Sequence, residues 1–298
     1  MKHLLSMGQL TAADIIKILN LADQMKYEQK NGIAHEVLKG KQLAMIFAKA
    51  STRTRVSFEV GIRQLGGNGL YLSQNDLQLG RGESIEDTAK VLSRYVDGIM
   101  IRTFEQNDVE ELAKYADIPI INGLTDYSHP CQILADLMTM REQLTVLEGK
   151  TVAWVGDGNN VCQSLIVGAT TVGMKVKVAT PVGYEPDAAL VEQYKNSVLF
   201  THSPQEAVSG ADVVVTDVWT SMGQEAETAK RLEIFAPFQV NEQLMALANE
   251  GAFVQHCLPA HKGEEITQEI FDSHADVIYD EAENRLHVQK AVMALLMG

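Results

Sequence analysis

Five consecutive residues near the start of the chain carry the chemistry of a phosphate site. The run Ser51-Thr52-Arg53-Thr54-Arg55 follows an apolar stretch, Gln42 to Phe47, whose pattern predicts a buried strand, and it opens a predicted helix. A helix N-terminus offers free backbone N–H groups and a partial positive charge, and these side chains add donors for phosphate oxygens. An ordinary helix cap with solvated arginines is the alternative, because serine and threonine caps are common. The complete run directly after a strand favours phosphate binding.

Arg102 and the segment His129-Pro130-Cys131-Gln132 follow two further predicted strands. Ligands of open α/β sheets lie outside the carboxyl ends of the strands, which is where Arg102 comes in the sequence. Pro130 suits the first position of a helix predicted to continue to about residue 144, so His129 stands at its N-terminus. A neutral imidazole can donate to a carbonyl oxygen, and Gln132 can hold an amide-like group. Taken singly, Arg102 is weak evidence, because a surface salt bridge is the alternative, and a lone histidine is more often structural. The whole HPCQ unit, with a loop before it and a helix after it, is much more specific.

A glycine turn, Gly156-Asp157-Gly158-Asn159-Asn160, follows the predicted strand Thr151 to Val155. The third glycine of the dinucleotide fingerprint is missing, since Val161 stands there, and the next strand ends in Thr180-Pro181 without an acidic residue for a ribose. The sequence therefore disfavours a dinucleotide site. It favours a tight turn that aims Asn160 across the carboxyl edge of the sheet at a small polar ligand.

Two more segments follow predicted strands in the second half of the chain. Asp217 begins Asp-Val-Trp-Thr-Ser-Met-Gly, and its carboxylate suits a substrate ammonium group. For this residue alone, a helix N-cap is the favoured interpretation. The other segment runs from His256 to His261. A metal site from His256, Cys257 and His261 is disfavoured, because adjacent residues of an extended segment point in opposite directions. Cys257 as a covalent nucleophile lacks a clear base.

Alternating strands and helices must position these candidates. Thr11 with Asp14, and Ser84 with Asp87, have the spacing of capping boxes and begin two helices. The further strands are predicted at Leu70 to Ser73, Gly98 to Ile101, Ile118 to Ile121, Lys175 to Ala179, Val198 to Thr201, Asp212 to Thr216, Phe253 to His256 and Val277 to Tyr279. This alternation predicts an α/β fold with mostly parallel sheets and a domain boundary near residues 129–148.

Composition restricts the classes of function. The chain has 298 residues, enough for two domains, and a net charge of −14, which argues against binding to nucleic acid or an anionic membrane. Three cysteines without a CxxC motif predict reduced thiols. The N-terminus lacks the features of a signal peptide, and no apolar run approaches the roughly 18 residues of a membrane span. We therefore expect a cytoplasmic protein.

Together the motifs resemble those of the aspartate/ornithine carbamoyltransferase family. The matching segments, in the family's order and over nearly the whole chain, are STRTR at 51–55, DLQLGRGE at 76–83, IRT at 101–103, HPCQ at 129–132, GDGNN at 156–160, DVWTSMG at 217–223, HCLP at 256–259 and ENR at 283–285. The first half resembles the part that binds carbamoyl phosphate, and the DVWTSMG and HCLP segments resemble the ornithine-specific form of the second half. The resemblance implies transfer of the carbamoyl group to the δ-amine of ornithine, in arginine or citrulline metabolism.

The resemblance also implies roles for individual residues. Carbamoyl phosphate would be bound by Ser51, Thr52, Arg53, Thr54, Gln78, Arg102, His129, Gln132, Cys257, Leu258 and Arg285. Of these, the residues closest to the reaction would be Arg102, His129, Cys257 and Arg285. The amino-acid part of ornithine would be held by Asn160, Asp217, Ser221 and Met222. No metal or organic cofactor is implied.

The family's architecture implies two α/β domains, each a mostly parallel sheet flanked by helices, joined by interdomain helices. On this basis residues 1–130 bind carbamoyl phosphate, with a C-terminal helix at 283–298 packed back on them. Residues 131–147 form an interdomain helix, and residues 148–282 bind ornithine. Gln78 matches a position that the family lends across a subunit interface, which implies a homotrimer with shared active sites. The alternatives are a putrescine carbamoyltransferase and, from a different class, an NAD-linked oxidoreductase.

Overall fold

The computed structural model describes residues 1–77, 82–220 and 225–298. The chain forms two compact units. Unit 1 comprises Met1–Ala135 together with Glu283–Gly298, and unit 2 comprises Asp136–Ala282. Each unit contains a parallel sheet with helices, so the predicted fold class is confirmed. Among the described residues, no helix combines the length and apolar character needed to cross a membrane.

Unit 1 is built on a four-stranded parallel sheet in the order β2-β1-β3-β4. Its strands are β1 (Gln42–Phe47), β2 (Asn68–Ser73), β3 (Gly98–Arg102) and β4 (Ile120–Leu124). Its helices are α1 (Ala12–Lys30), α2 (Thr52–Gln64), α3 (Ile85–Leu92) and α4 (Gln106–Tyr115), with short 3₁₀ turns at Met7–Gln9 and Gln74–Asp76. Every residue of β3 is buried, as expected for a central strand covered on both faces.

The helix starts in unit 1 follow from their capping residues. The side chain of Thr11 accepts from the backbone N–H of Asp14, and the Asp14 carboxylate accepts from the backbone N–H of Thr11, so the predicted capping box is present. Ser84 caps α3 by accepting from the backbone N–H of Asp87. These caps satisfy donors that the first turn of a helix leaves free.

Unit 2 is built on a five-stranded parallel sheet in the order β7-β6-β5-β8-β9. Its strands are β5 (Thr151–Val155), β6 (Lys175–Ala179), β7 (Val198–Thr201), β8 (Val213–Thr216) and β9 (Phe253–His256). Its helices are α6 (Asn160–Thr171), α7 (Ala188–Tyr194), α8 (Pro204–Val208), α9 (Thr228–Phe235), α10 (Glu242–Met245) and α11 (Gln268–Ser273), with 3₁₀ turns at Glu225–Glu227 and Ala236–Phe238. In the first sheet β2 and β3 lie on opposite sides of β1, and in the second sheet β6 and β8 lie on opposite sides of β5. Open α/β sheets bind ligands at such a switch point, outside the carboxyl ends of the strands.

Two helices, α5 (Pro130–Leu144) and α12 (Ala275–Met297), each begin in one unit and end in the other. The strand predicted at Val277 to Tyr279 is wrong, because these residues lie in the first two turns of α12. A short apolar run cannot distinguish a strand from a buried helix segment, and the only fully buried side chain of the three is that of Ile278.

The strand predicted at Ile118 to Ile121 instead covers Ile120–Leu124. The extension includes Asn122, a polar residue that hydrophobicity alone would exclude from a buried strand. Its side-chain Nδ2 donates to the carbonyl oxygen of Leu5 at 2.8 Å, so the buried amide N–H has an acceptor.

Candidate functional site

In unit 1, the phosphate motif opens α2 directly after β1. Ser51 is the N-cap, and its Oγ accepts from the backbone N–H of Thr54 at 3.2 Å. Thr52 and Arg53 occupy the first two helical positions, where free N–H groups and the helix dipole favour an anion. Arg55 is directed elsewhere, since its guanidinium carbon lies 3.9 Å from the centre of the Tyr71 ring.

Thr54 is fully buried and joins two arginines from distant parts of the chain. Its Oγ1 accepts from Arg102 Nη1 at 3.4 Å and from Arg285 Nη2 at 3.1 Å. Arg102 is the last residue of β3, and Arg285 lies in α12. Both guanidinium groups therefore meet at the first turn of α2.

Gln132 and His129 complete this polar cluster from the start of α5. Gln132 Oε1 accepts from Arg285 Nη1 at 2.8 Å. Burial, together with the charges of Arg285, Arg102 and Arg53, lowers the pKa of His129 well below its usual value of 6.5. His129 is therefore a neutral imidazole near pH 7, able to donate from one ring nitrogen and accept at the other.

Lys49 is a charged residue of this region that sequence reasoning missed. It follows β1, its side chain is only 8% exposed, and it forms an ion pair with Asp126. Its ammonium nitrogen lies 4.2 Å from the centre of the Phe104 ring. The sequence feature that could have revealed Lys49 is its position two residues before the phosphate motif.

In unit 2, the glycine turn after β5 is covered by the chain's own backbone. The N–H of Gly158 donates to the carbonyl oxygen of Tyr184 at 2.9 Å. A Cβ at Gly158 would lie 2.3 Å from the Pro186 nitrogen, so only glycine permits this contact. The segment that contains Tyr184 and Pro186 thus packs on the backbone that a dinucleotide site would offer to a pyrophosphate.

Asn159 makes several hydrogen bonds within this turn and beyond it. Asn159 Oδ1 caps α6 by accepting from the N–H groups of Val161 and Cys162. Its Nδ2 donates to Asp217 Oδ2 at 2.9 Å. Asn160 is the first residue of α6 and is half-buried.

Asp217 lies at the carboxyl end of β8 and links the ends of three neighbouring strands. One oxygen accepts from Asn159, and Oδ1 accepts from Cys257 Sγ at 3.0 Å. Oδ1 also accepts from the backbone N–H of Val218 at 2.8 Å. The helix-cap alternative is wrong, because residues 218–220 after Asp217 are not helical.

Cys257 follows β9 as a protonated thiol. Burial raises its pKa well above the usual value of 9.0, and the negative charge of Asp217 raises it further. Thiolate is the nucleophilic form of cysteine, so this environment opposes covalent catalysis by Cys257. It favours a thiol that donates a hydrogen bond and lines a polar site.

Leu258, next in the chain, has a φ of 59°, an uncommon value for a residue with a side chain. Its N–H donates to His256 Nδ1 at 2.9 Å, and His256 Nε2 lies 2.9 Å from Glu265 Oε1. The backbone donor fixes Nδ1 as the acceptor, so the Nε2–H faces the carboxylate. This buried pair holds the backbone beside Cys257.

Metal-ligating atoms of Asp217, His256 and Cys257 lie within 4.8 Å of one another, as do those of His261, Glu264 and Glu265. In the first group, both ring nitrogens of His256 already make hydrogen bonds and the Cys257 thiol is protonated. This pattern does not favour a metal ion there.

Arg231 of α9 is a buried residue that the motifs did not reveal. Its Nη1 donates to Asp157 Oδ2 at 2.8 Å and to the carbonyl oxygen of Trp219 at 2.7 Å. It thereby ties the glycine turn after β5 to the segment after β8.

Three predicted site residues, Gln78, Ser221 and Met222, lie outside the described residues.

Family models match both halves of the chain. The aspartate/ornithine carbamoyltransferase carbamoyl-P binding domain matches residues 2–142, and the Asp/Orn binding domain of the same family matches residues 148–296. The chain belongs to the aspartate/ornithine carbamoyltransferase family. The resemblance predicted from the motifs is confirmed.

Members of the aspartate/ornithine carbamoyltransferase family are similar to the chain over its full length. An ornithine carbamoyltransferase from Carboxydothermus hydrogenoformans is 59% identical, covering 100% of this chain and 98% of the relative. One from Thermococcus kodakarensis is 55% identical, covering 100% and 96%. The solved ornithine carbamoyltransferase from Pyrococcus furiosus has a TM-score of 0.95 at 54% identity, covering 100% of this chain and 97% of that one.

Proposed function

We propose that this protein transfers the carbamoyl group of carbamoyl phosphate to the δ-amino group of L-ornithine, giving L-citrulline and phosphate. The observation that carries the proposal is the cluster in unit 1 where Arg102 and Arg285 share the Thr54 hydroxyl and Arg285 also bonds Gln132. Two buried guanidinium groups at a helix N-terminus suit a small, doubly charged anion with an adjacent amide. Full-length relatives named ornithine carbamoyltransferase support ornithine as the acceptor.

The phosphate of carbamoyl phosphate would occupy the N-terminus of α2. Ser51, Thr52 and Thr54 supply hydroxyl and backbone donors there, and Arg53 supplies a guanidinium group. A phosphate at a helix N-terminus is stabilised by the dipole and by N–H groups that the helix itself cannot use. The same interactions would stabilise the charge that grows on the leaving phosphate.

The carbamoyl group would lie against Arg102, His129, Gln132 and Arg285. Arg102 and neutral His129 would donate to the carbonyl oxygen, together with the Thr54 hydroxyl, and Gln132 would accept from the amino group. Because His129 is neutral at physiological pH, it can serve as a donor without adding a further positive charge beside the arginines.

Unit 2 would bind the amino acid. Asp217 offers a carboxylate for the α-ammonium group, with Asn160, Ser221 and Met222 holding the rest of the amino-acid part. Cys257 and the backbone of Leu258 would lie beside the δ-amine and the carbamoyl group. This assignment uses Cys257 as a protonated thiol, in agreement with its raised pKa.

The reaction then proceeds by addition and elimination. The neutral δ-amine attacks the carbamoyl carbon, forming the C–N bond and an oxyanion held by Arg102, His129 and Thr54. The bond to the phosphate oxygen breaks, and the phosphate leaves with the electron pair and takes up the proton that the amine loses. Holding both reactants in register replaces a bimolecular encounter, an effect that reaches roughly 10⁵–10⁸ M in effective molarity.

The assembly that fits this function is a homotrimer in which a neighbouring chain supplies Gln78. Exposed apolar side chains on β2 and α2 support an interface on this part of unit 1: Leu70, Tyr71, Val56 and Val60. We expect light scattering after size-exclusion chromatography to give about three times the monomer mass.

The setting we propose is arginine biosynthesis in the cytoplasm. A relative from Pyrococcus furiosus is named an anabolic ornithine carbamoyltransferase. The three cysteines of the chain are free thiols, a state typical of reducing compartments.

Citrulline formation from carbamoyl phosphate tests the function, with ornithine, putrescine and aspartate as parallel acceptors. We expect rapid turnover with ornithine alone. Preference for putrescine would retain the carbamoyl phosphate half of the proposal and overturn the roles given to Asn160, Asp217, Ser221 and Met222. No product with any acceptor would refute the proposed activity.

A further inference from the structure

A fully buried lysine lies in unit 1 outside the proposed carbamoyl phosphate site. Lys290 of α12 has no exposed surface. Its ammonium nitrogen lies 3.1 Å from Gln29 Oε1, 3.0 Å from Gln64 Oε1 and 2.9 Å from His35 Nε2. An ammonium group has three N–H donors, and here each finds an acceptor on a different segment: α1, α2 and the loop at residue 35.

The proton positions in this cluster follow from the contacts. Because the ammonium form of Lys290 can only donate, His35 Nε2 is its acceptor, and the imidazole proton is then on Nδ1. Nδ1 lies 3.1 Å from Glu28 Oε2. The charged and titratable groups that face Lys290 are thus Glu28 and His35 from α1 and its following loop, and His287 on α12 itself.

The contact between α2 and α12 is close and extends on both sides of Gly61. A Cβ at Gly61 would lie 3.1 Å from Met293 Cε and 3.2 Å from Lys290 Cγ, so the glycine lets the two helices approach. At one end of this contact Arg285 bonds Thr54, and at the other Lys290 bonds Gln64.

Lys290 and Arg285 lie on the same helix, so a shift of α12 along its axis moves both side chains together. They are five positions apart, about 7.5 Å along the helix axis, and a slip of α12 by one turn would displace both side chains by about 5.4 Å. An apolar side chain at 290 would fill the same space but would tolerate sliding, because apolar contacts have no direction. An ammonium with three fixed acceptors tolerates only one register.

We propose that Lys290 is a positioning residue that fixes the register of α12 against α2 and thereby holds Arg285 at Thr54. This role rests on the proposed function, in which Arg285 contacts the carbamoyl group. Burial lowers the pKa of Lys290 to about 8, which agrees with a site whose acceptors are mostly uncharged.

The test compares Lys290→Met with Gln64→Glu and with Lys17→Met, an exposed lysine of α1 that serves as the matched control. Lys290→Met removes all three donor contacts at similar volume, whereas Gln64→Glu keeps an acceptor for the ammonium. We expect Lys290→Met to lower kcat/KM for carbamoyl phosphate roughly ten- to hundredfold, because small misplacements of a reacting group have effects of this size. The KM for ornithine should stay near that of the parent. In Gln64→Glu and Lys17→Met, both kcat/KM for carbamoyl phosphate and KM for ornithine should stay near the parent values.

Thermal unfolding and the affinity for phosphonoacetamide, a stable analogue of carbamoyl phosphate, complete the test. A lower Tm with unchanged carbamoyl phosphate parameters would make Lys290 a structural residue only. Equal losses for both substrates would indicate general loosening and also overturn the proposal. If Lys290→Met does not fold, the same kinetic parameters are compared between Gln64→Leu and the parent. If the parent makes no citrulline, the proposed function fails, and weaker analogue binding in Lys290→Met still decides whether Lys290 positions Arg285.

Discussion

Replacement of Thr54 by valine tests the centre of the proposed carbamoyl phosphate site. Valine has nearly the shape of threonine but lacks the hydroxyl that accepts from Arg285 at 3.1 Å and from Arg102 at 3.4 Å. Thr54→Ser keeps the hydroxyl and is the matched control. Because Thr54 is fully buried, water cannot replace the lost acceptor without rearrangement.

The expected size of the effect follows from these two contacts. A hydrogen bond to a charged group contributes roughly 1.5–3 kcal/mol, and the 3.4 Å contact is the weaker of the two. A total loss of about 3 kcal/mol corresponds to a decrease of roughly 10²-fold in kcat/KM. The Thr54→Ser variant should lose less than about tenfold, since it can still accept from both arginines.

Steady-state citrulline formation with carbamoyl phosphate as the varied substrate measures this difference. Thermal unfolding of the same samples shows whether both variants remain folded. If Thr54→Val and Thr54→Ser agree within threefold in kcat/KM, the shared hydroxyl does not organise the site, and the reasoning from the two arginine contacts is refuted.

Three further predictions concern Cys257, Gly158 and His129. Cys257→Ser should retain turnover within about tenfold, because a thiol with a raised pKa is not a nucleophile; complete loss of kcat in a folded variant would contradict this. Gly158→Ala should lower the free energy of unfolding by about 3 kcal/mol or more, since its Cβ would lie 2.3 Å from the Pro186 nitrogen; an unchanged urea midpoint would show that the turn can relax. His129 has a folded-state pKa well below 6.5, so below about pH 6.5 only the unfolded chain takes up this proton, and stability falls with decreasing pH by up to about 1.4 kcal/mol per unit. Urea unfolding at pH 5.5, 6.5 and 7.5 should show that the free energy of unfolding depends less steeply on pH in His129→Asn than in the parent. An equal dependence on pH in both proteins would mean that His129 titrates normally.

Local patterns in the sequence predicted much of the scaffold. Apolar runs gave strands such as Gln42–Phe47 and Lys175–Ala179 with the bounds that the structure has. The capping box at Thr11 fixed the start of α1. Such features succeed because caps and strand burial depend on residues that are close in the chain.

Local patterns failed where a distant contact decides the outcome. Val277 to Tyr279 has the composition of a strand, yet it begins a helix whose later residues include Arg285 and Lys290. Asn122 belongs to β4 because the carbonyl oxygen of Leu5, far away in the sequence, accepts from its amide. Asn159 faces Asp217 because parallel strands β5 and β8 are neighbours in the sheet.

The sequence by itself determined which residue types stand after which strands: the hydroxyls and arginine of the first motif, Arg102 after one strand, Asp217 and Cys257 after two others. It thereby determined the family and the class of chemistry. Only the tertiary structure decided that Thr54 and Arg285, 231 positions apart, share a hydrogen bond. Only the fold could also lower the pKa of His129 and raise that of Cys257, because burial and neighbouring charges shift a pKa and neither can be read from local sequence.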